Sequence, residues 1–236
     1  MAVTAGSATL FEFAGLSGGY GDTVVLRGID GSVQAGQTLG VLGRNGVGKT
    51  TLLRHLMGYM QPFSGVVLWQ GAPLGRSLPF RRSRLGLAYM PQEGVVFDDL
   101  SVSDNLTLHR TRRDLSPYAR YLDAFPQLGQ RLRQRAGTLS GGEKKMLAFV
   151  RVLAEAKPLS LLDEPTEGVQ QENIDLMAML VRARVGEGAA FIIVEQNLGF
   201  LQQVMDTVLV LDHGRCVAQG RADEFDRERL AGFLRV

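Results

Sequence analysis

An α/β fold is predicted for this chain, with a largely parallel sheet, helices between its strands and one stretch that reads as helices only. Three observations predict it. Apolar, β-branched runs recur along the sequence with helical stretches between several of them, as parallel strands require for their crossovers. Residues Thr38–Met60 read as strand, glycine-rich loop and helix in succession. Residues between Gln92 and Ala136, by contrast, offer no good strand. A chain of 236 residues fits one large domain of this class, although length alone permits two.

In chain order, strands are expected at Ala8–Ala14, Val24–Val33 and Thr38–Leu42. A helix opens at Lys49 and carries Leu52, Leu53, Leu56 and Met57 on one side. Strands follow at Gly65–Trp69 and Gly86–Met90. Helices are expected at Ser103–His109 and Pro117–Phe125, with Ser101, Asp104 and Ser116 as start signals. Another helix begins at Ser140 and runs through Val152. The remaining strands are Leu159–Leu162, Ala190–Val194, Thr207–Leu211 and Cys216–Ala218. No internal repeat, low-complexity tract or flexible linker interrupts the pattern.

Composition is that of a soluble globular protein: 45% hydrophobic, 21% charged and a net charge of +2, so nothing demands nucleic acid. Arginines cluster at Arg76, Arg81, Arg82 and Arg84, and again at Arg110, Arg112 and Arg113; both runs read as solvated faces. Cys216, the sole cysteine, cannot form an internal disulfide and reads as a small packing residue in a reducing compartment. No apolar run approaches the ~18–20 residues that span a bilayer. Met1–Leu10 lacks the basic start of a secretory signal. The expectation is a cytoplasmic chain without direct membrane insertion; any membrane part comes from another chain.

Chemistry concentrates in three motifs. Gly43-Arg44-Asn45-Gly46-Val47-Gly48-Lys49-Thr50 is a complete G-x-x-x-x-G-K-[ST] phosphate-binding loop. Its glycines let consecutive N–H groups turn inward as an anion nest, and the following helix adds its positive end. Lys49 is expected on the β- and γ-phosphates of a nucleotide, the Thr50 hydroxyl on Mg²⁺, and Thr51 on the α-phosphate. Asp163 and Glu164 end an apolar run, hence sit at the carboxyl edge of a buried strand, where such sheets bind ligands. Adjacent carboxylates on a strand point to opposite sides, which suits one to metal and the other to a nucleophile. In Leu139-Ser140-Gly141-Gly142-Glu143, Ser140 and Glu143 have capping-box spacing, and two glycines in the first turn expose backbone N–H groups to a close ligand.

Together and in this order, the three motifs resemble the ATP-binding cassette (ABC) family, the ATPase subunits of ABC transporters, over nearly the whole chain. The resemblance implies a P-loop NTPase, RecA-like core with a mixed sheet, and a helical subdomain carrying the LSGGE signature. One domain would comprise a core of residues 1–92 and 155–236 and a helical insert of residues 93–154. It implies ATP and Mg²⁺ as cofactors. Asp163 would hold Mg²⁺ through water and Glu164 would polarise the attacking water. Gln92, in Tyr89-Met90-Pro91-Gln92, matches the family's glutamine loop, which senses Mg²⁺ and water and links to the membrane subunit. Tyr20 stands where the family stacks an aromatic on adenine, with Val25 padding the same ring. Ser140, Gly141, Gly142 and Glu143 would bind the γ-phosphate of ATP held by a second ABC ATPase subunit, in a two-fold homo- or heterodimer on transmembrane permease subunits. That places the chain peripherally on the inner face of the cell membrane.

Departures from the family pattern narrow the resemblance. Gln196, in Val194-Glu195-Gln196-Asn197, occupies the place of a γ-phosphate histidine; its amide can donate a hydrogen bond but cannot carry a proton. Gln170 replaces an aspartate that crosses the dimer interface. Lys144 and Lys145 depart from a polar, often glutamine-containing pair and are assigned no role. With Gly-Arg-Asn-Gly-Val-Gly, these features resemble importer ATPases for branched-chain amino acids, urea and short amides, so Gln196 is not read as inactivating. His55, His109 and His213 fall outside every motif. A soluble ABC ATPase acting on nucleic acid or ribosomes is the alternative, but the chain lacks the long coiled-coil insertions or second cassette of those relatives. A regulatory module without hydrolysis is opposed by Glu164.

Overall fold

The structure, a computed structural model, describes residues 9–235; the strand expected from Ala8 therefore starts outside them, as does most of Met1–Leu10. The chain opens with β1 (Thr9–Tyr20) and β2 (Thr23–Gln34), joined by Gly21-Asp22. So short a link permits only antiparallel pairing. After β3 (Thr38–Leu42) and α1 (Lys49–Met57), β4 (Ser64–Trp69) and β5 (Ala72–Pro73) return to this layer, giving an antiparallel sheet of order β2-β1-β4-β5. This antiparallel sheet adds a second layer to the largely parallel sheet that the strand pattern predicts. The apolar runs locate its strands, but only the two-residue hairpin link betrays their pairing.

Then come α2 (Pro79–Leu85), β6 (Leu87–Met90), α3 (Val102–Thr107), α4 (Ala119–Ala124), α5 (Pro126–Gly129) and α6 (Gly141–Ala154). The chain continues through β7 (Leu159–Asp163), α7 (Gln171–Gly186), β8 (Ala190–Glu195), α8 (Leu198–Val204), β9 (Thr207–Asp212), β10 (Arg215–Arg221) and α9 (Arg227–Gly232). The larger sheet has order β10-β9-β3-β8-β7-β6; β10 pairs antiparallel to β9 and the other pairs are parallel, so the sheet is mixed. Between β6 and β7 the chain is helical, as its lack of strand signals predicts, and Ser101 caps α3 through the Asp104 N–H.

The parallel strands are buried on both faces, which explains their nearly continuous apolar runs. Val41, Leu161 and Ile192 pack with α1 and the antiparallel sheet, while Leu42, Leu162 and Ile193 pack with α6, α7 and α8. Alternate residues thus feed two cores.

One arginine contradicts its reading as a solvated face. Arg82 is fully buried in α2. Its guanidinium donates to the carbonyls of His55, Leu56, Gly75 and Ser77 and to the Ser77 hydroxyl. Two of those carbonyls belong to the last turn of α1, whose orphan acceptors and negative end favour a cation. Burial pulls its pKa down to about 10, which leaves it charged at neutral pH. Charge clustering alone cannot separate this arginine from exposed Arg81 and Arg84.

Candidate active site

Because β3, β6, β7 and β8 run parallel, their carboxyl ends share one edge of the sheet. That edge gathers the phosphate loop after β3, Gln92 after β6, Asp163 and Glu164 at the end of β7, and Gln196 after β8. The loop enters α1 through Gly48, whose φ of 109° favours glycine and whose missing Cβ would lie 2.8 Å from Leu26. Lys49 is buried there, with Nζ donating to the Gly43 carbonyl at 2.9 Å and the Arg44 carbonyl at 3.0 Å. The same ammonium lies 3.2 Å from Glu164 Oε1.

Asp163 is fully buried and accepts from the Thr50 hydroxyl at 3.1 Å and the Tyr89 hydroxyl at 3.4 Å. Burial pushes its carboxyl up to about 6; the Thr50 hydrogen bond opposes this and the Glu164 charge adds to it. Glu164 lies just beyond β7 at φ 47°, a left-handed conformation costing a non-glycine residue about 1–3 kcal/mol. Its carboxylate meets three polar side chains. Oε1 faces Lys49 and accepts from Gln196 Nε2 at 3.1 Å, and Oε2 accepts from Gln92 Nε2 at 2.9 Å. The two carboxylates do address different partners. A left-handed turn separates them, however, because the strand ends at Asp163 and its alternation does not reach Glu164.

Gln92 also connects the pair, since its Oε1 lies 3.5 Å from the Thr50 hydroxyl. Gln196 Nε2 donates further to Asn45 Oδ1 at 2.6 Å, bridging the phosphate loop and Glu164. Glu195 holds that turn: its carboxylate accepts from the backbone N–H groups of Gln196 and Asn197 and from the N–H and hydroxyl of Thr166. A cleft of about 280 Å³ brings together Tyr20, Val25, Asn45, Gly46, Gly48, Lys49, Thr50, Thr51, Gln92 and Glu164. Tyr20 is half exposed at its mouth, its hydroxyl accepting from Arg54 at 3.2 Å and lying 3.5 Å from that of Thr51.

The Ser140–Glu143 segment lines a different cavity, of about 490 Å³, with Gln127, Met146, Val169 and Gln170. The two cavities share no lining residue. Ser140 and Glu143 form the expected capping box, with the Glu143 N–H donating to Ser140 Oγ and the Ser140 N–H to Glu143 Oε2. Arg131 pairs with the same glutamate. Its two glycines serve differently. Gly141 faces open space, whereas a Cβ on Gly142 would meet the Gly168 carbonyl at 2.4 Å. Gly141 thus fits ligand exposure, and Gly142 is needed for packing against the loop after Glu164.

Sequence reasoning misses Tyr89, Asn45's bond to Gln196, Glu195 and Lys145. Glu195 carries a signal like that of Asp163, a carboxylate ending an apolar strand. Lys145 is marked only by its departure from a polar pair. Cys216 is half-buried beside the core, consistent with packing. Among the described residues no helix is long and apolar enough to cross a membrane.

Comparison with known proteins agrees with this geometry. The sequence profile of the ABC transporter family matches residues 26–167. The high-affinity branched-chain amino acid transport ATP-binding protein BraG of Pseudomonas aeruginosa is 34% identical, over 88% of this chain and 91% of its own length. The probable branched-chain amino acid transport ATP-binding protein LivF of Archaeoglobus fulgidus is 32% identical, over 89% of this chain and 91% of its own. Among solved structures, an ATP-binding subunit of an ABC transporter superposes with a TM-score of 0.81 at 28% identity, covering 95% of this chain and 94% of that one. An ATP-bound bacterial Atm1-family exporter gives 0.85 at 25% identity, covering 98% of this chain and 42% of that one. These relatives serve transport, which sets aside the alternative of a soluble ATPase acting on nucleic acid or ribosomes. With three motifs assembled on one sheet edge and one helix start, the chain belongs to the ABC transporter family, as an ATP-binding subunit that hydrolyses ATP to power transport.

Proposed function

We propose that the chain hydrolyses ATP in the cleft between Tyr20 and Glu164 and thereby drives a membrane importer for branched-chain amino acids, urea or short amides. A single observation carries the catalytic reading: the buried Glu164 carboxylate is met by Lys49 at the start of α1 and by Gln92 and Gln196 from the loops after β6 and β8. In this reading the adenine stacks on Tyr20 against Val25. Backbone N–H groups of the Gly43–Gly48 loop, with Arg44, Asn45, Gly46 and Val47 among them, surround the phosphates. Lys49 bonds the β- and γ-phosphates and Thr51 the α-phosphate.

Thr50 Oγ1, Gln92 Oε1 and Asp163 Oδ1 form an all-oxygen set with one carboxylate, gathered within 3.5 Å of the Thr50 hydroxyl. Such a set would hold Mg²⁺, a hard cation that prefers oxygen ligands. When bound, the ion neutralises charge on the β- and γ-phosphates. Asp163 must be ionised for this, and Thr50 stabilises that form. Glu164 orients and polarises the attacking water. As the water's oxygen bonds to the γ-phosphorus, the bond from that phosphorus to the ADP oxygen breaks. Gln196 donates to the γ-phosphate or fixes the water, acting by electrostatic placement.

The separate cavity at Ser140–Glu143 supports a dimer in which this element meets the γ-phosphate of ATP held by a second ABC ATPase subunit, the same chain or a different one. The core of residues 1–92 and 155–236 then supplies the nucleotide site and the insert of residues 93–154 the signature element. Permease subunits carry the substrate, and the chain sits on their cytoplasmic side. The test is Glu164→Gln in the assembled transporter. ATP binding should be retained, because the loop and Asp163 survive, while turnover falls by on the order of 10²-fold or more. Undiminished hydrolysis would remove Glu164 from its role.

A further inference from the structure

Lys145 stands on the second turn of α6, and its side chain is 9% exposed. An ammonium so placed must be satisfied within the protein, and it has two hydrogen-bond acceptors and one carboxylate partner. Nζ donates to the Gln92 carbonyl at 2.8 Å and the Glu164 carbonyl at 3.0 Å, and lies 3.4 Å from Glu167 Oε2. The first two acceptors are the backbones of the two residues whose side chains bond each other at 2.9 Å. One lysine therefore joins the glutamine loop to Glu164 from behind, while their side chains join in front. Its neighbour Lys144 instead pairs with exposed Asp98.

The consequence lies in the backbone of Glu164. A left-handed glutamate persists only where its surroundings hold it. Here the Glu164 N–H donates to the Val194 carbonyl at 2.9 Å, and its carbonyl accepts from Lys145. Both sides of the strained residue are thus fixed, and with them the direction of its carboxylate. Lys145 also lies four residues after Gly141, one helical turn along the same rod. Gly142 packs on the Gly168 carbonyl, so the helix start and the loop following Glu164 are in direct backbone contact.

We propose that Lys145 is a positioning residue for hydrolysis, which transmits the placement of the signature end of α6 to Glu164 of the same chain. The coupling part rests on the proposed role of Ser140–Glu143 at a partner-held nucleotide. Docking of that element on the partner's ATP would then bear on this chain's own water-orienting carboxylate, through the Lys145 contacts that the single chain already makes.

Steady-state ATPase activity of the assembled transporter, read as kcat against KM, tests this with Lys145→Met, Lys145→Gln and Lys145→Arg. Lys145→Met keeps length and loses every donor; kcat should fall on the order of 10²-fold, the effect of a displacement of about 1 Å at a reacting group. KM and equilibrium ATP binding should change less than about twofold, because no phosphate contact is removed. Arg and Gln, which still donate to the carbonyls, should recover part of kcat. Should Lys145→Met fail to fold, as judged by its melting transition, the intermediate kcat of Lys145→Gln carries the same reading. A kcat within twofold of wild type in folded Lys145→Met, or in Lys145→Gln where the methionine variant does not fold, overturns the positioning role, as does a loss confined to KM. Ser140→Arg separates the underlying reading: it should abolish turnover while leaving ATP binding intact. Turnover unchanged by Ser140→Arg overturns the partner-held nucleotide and the coupling with it, whatever Lys145→Met shows.

Discussion

Gln196 stands where a protonatable histidine is expected, yet its amide nitrogen lies between Asn45 and Glu164, two acceptors that would suit either side chain. Its backbone is held by the buried carboxylate of Glu195, so the amide is placed before any substrate arrives. Losing one such preorganised donor typically costs ~10²–10³ in rate. Gln196→Ala should show that loss in steady-state ATPase assays with ATP affinity nearly unchanged, and Gln196→His should keep much of the activity because imidazole can also donate. Turnover equal to wild type in the alanine variant would make Gln196 a structural loop residue. The position is legible in the sequence, because Val194-Glu195-Gln196-Asn197 follows an apolar strand. Its partner is not: Asn45 lies 151 residues away, and only the parallel order of β3 and β8 brings the two loops together. Lys145 escapes for the same reason, reaching Gln92 and Glu164 across 53 and 19 residues.

At the scale of elements, α1 carries the phosphate loop at its start, and its last turn is tied to α2 by Arg82. Hydrogen bonds to a charged group are worth roughly 1.5–3 kcal/mol each and do not add. Arg82→Met should therefore lower stability by about 2–4 kcal/mol, read as a shift in denaturant midpoint, through carbonyls left without a donor. The same helix holds His55, fully buried, with Nδ1 against the Met60 carbonyl and Nε2 without a partner among the described residues. Burial pulls its pKa below the ordinary value of about 6.5; the Met60 bond opposes this, and Arg82 adds to it. Below pH ~6.5 the unfolded chain then binds a proton that the folded chain refuses, so stability falls as pH falls. His55→Leu should flatten that part of the melting-temperature profile between pH 7.5 and 5.5, by at most ~1.4 kcal/mol per pH unit. A profile as steep as wild type would place the acid sensitivity elsewhere. Helix periodicity and strand patterning reveal α1, α6 and the parallel strands. They do not reveal α5, a four-residue turn, or β5, two residues including Pro73, because neither is long enough to show a period.

For the whole molecule, the decisive arrangement is that the phosphate loop and the Ser140–Glu143 element line separate cavities. In the proposed dimer one chain would present two different surfaces to nucleotide, and a two-fold pairing would satisfy both at once, since an isologous contact places each element opposite its complement. Hydrolysis would reopen such a pair, so slowing it should make the pair accumulate. Glu164→Gln with ATP and Mg²⁺ should double in mass by light scattering or sedimentation, more than wild type and not with ADP. Adding Ser140→Arg to that variant should abolish the doubling while leaving nucleotide binding by the single chain intact, because Ser140 does not line the cleft proposed for the phosphates. Doubling that requires a second, different ATPase chain would identify a heterodimer, in which Gln170, beside the signature cavity, marks the asymmetric side. Doubling that survives Ser140→Arg would place the contact elsewhere on the surface. The signature segment would then be only what its capping box makes it locally, a well-terminated helix.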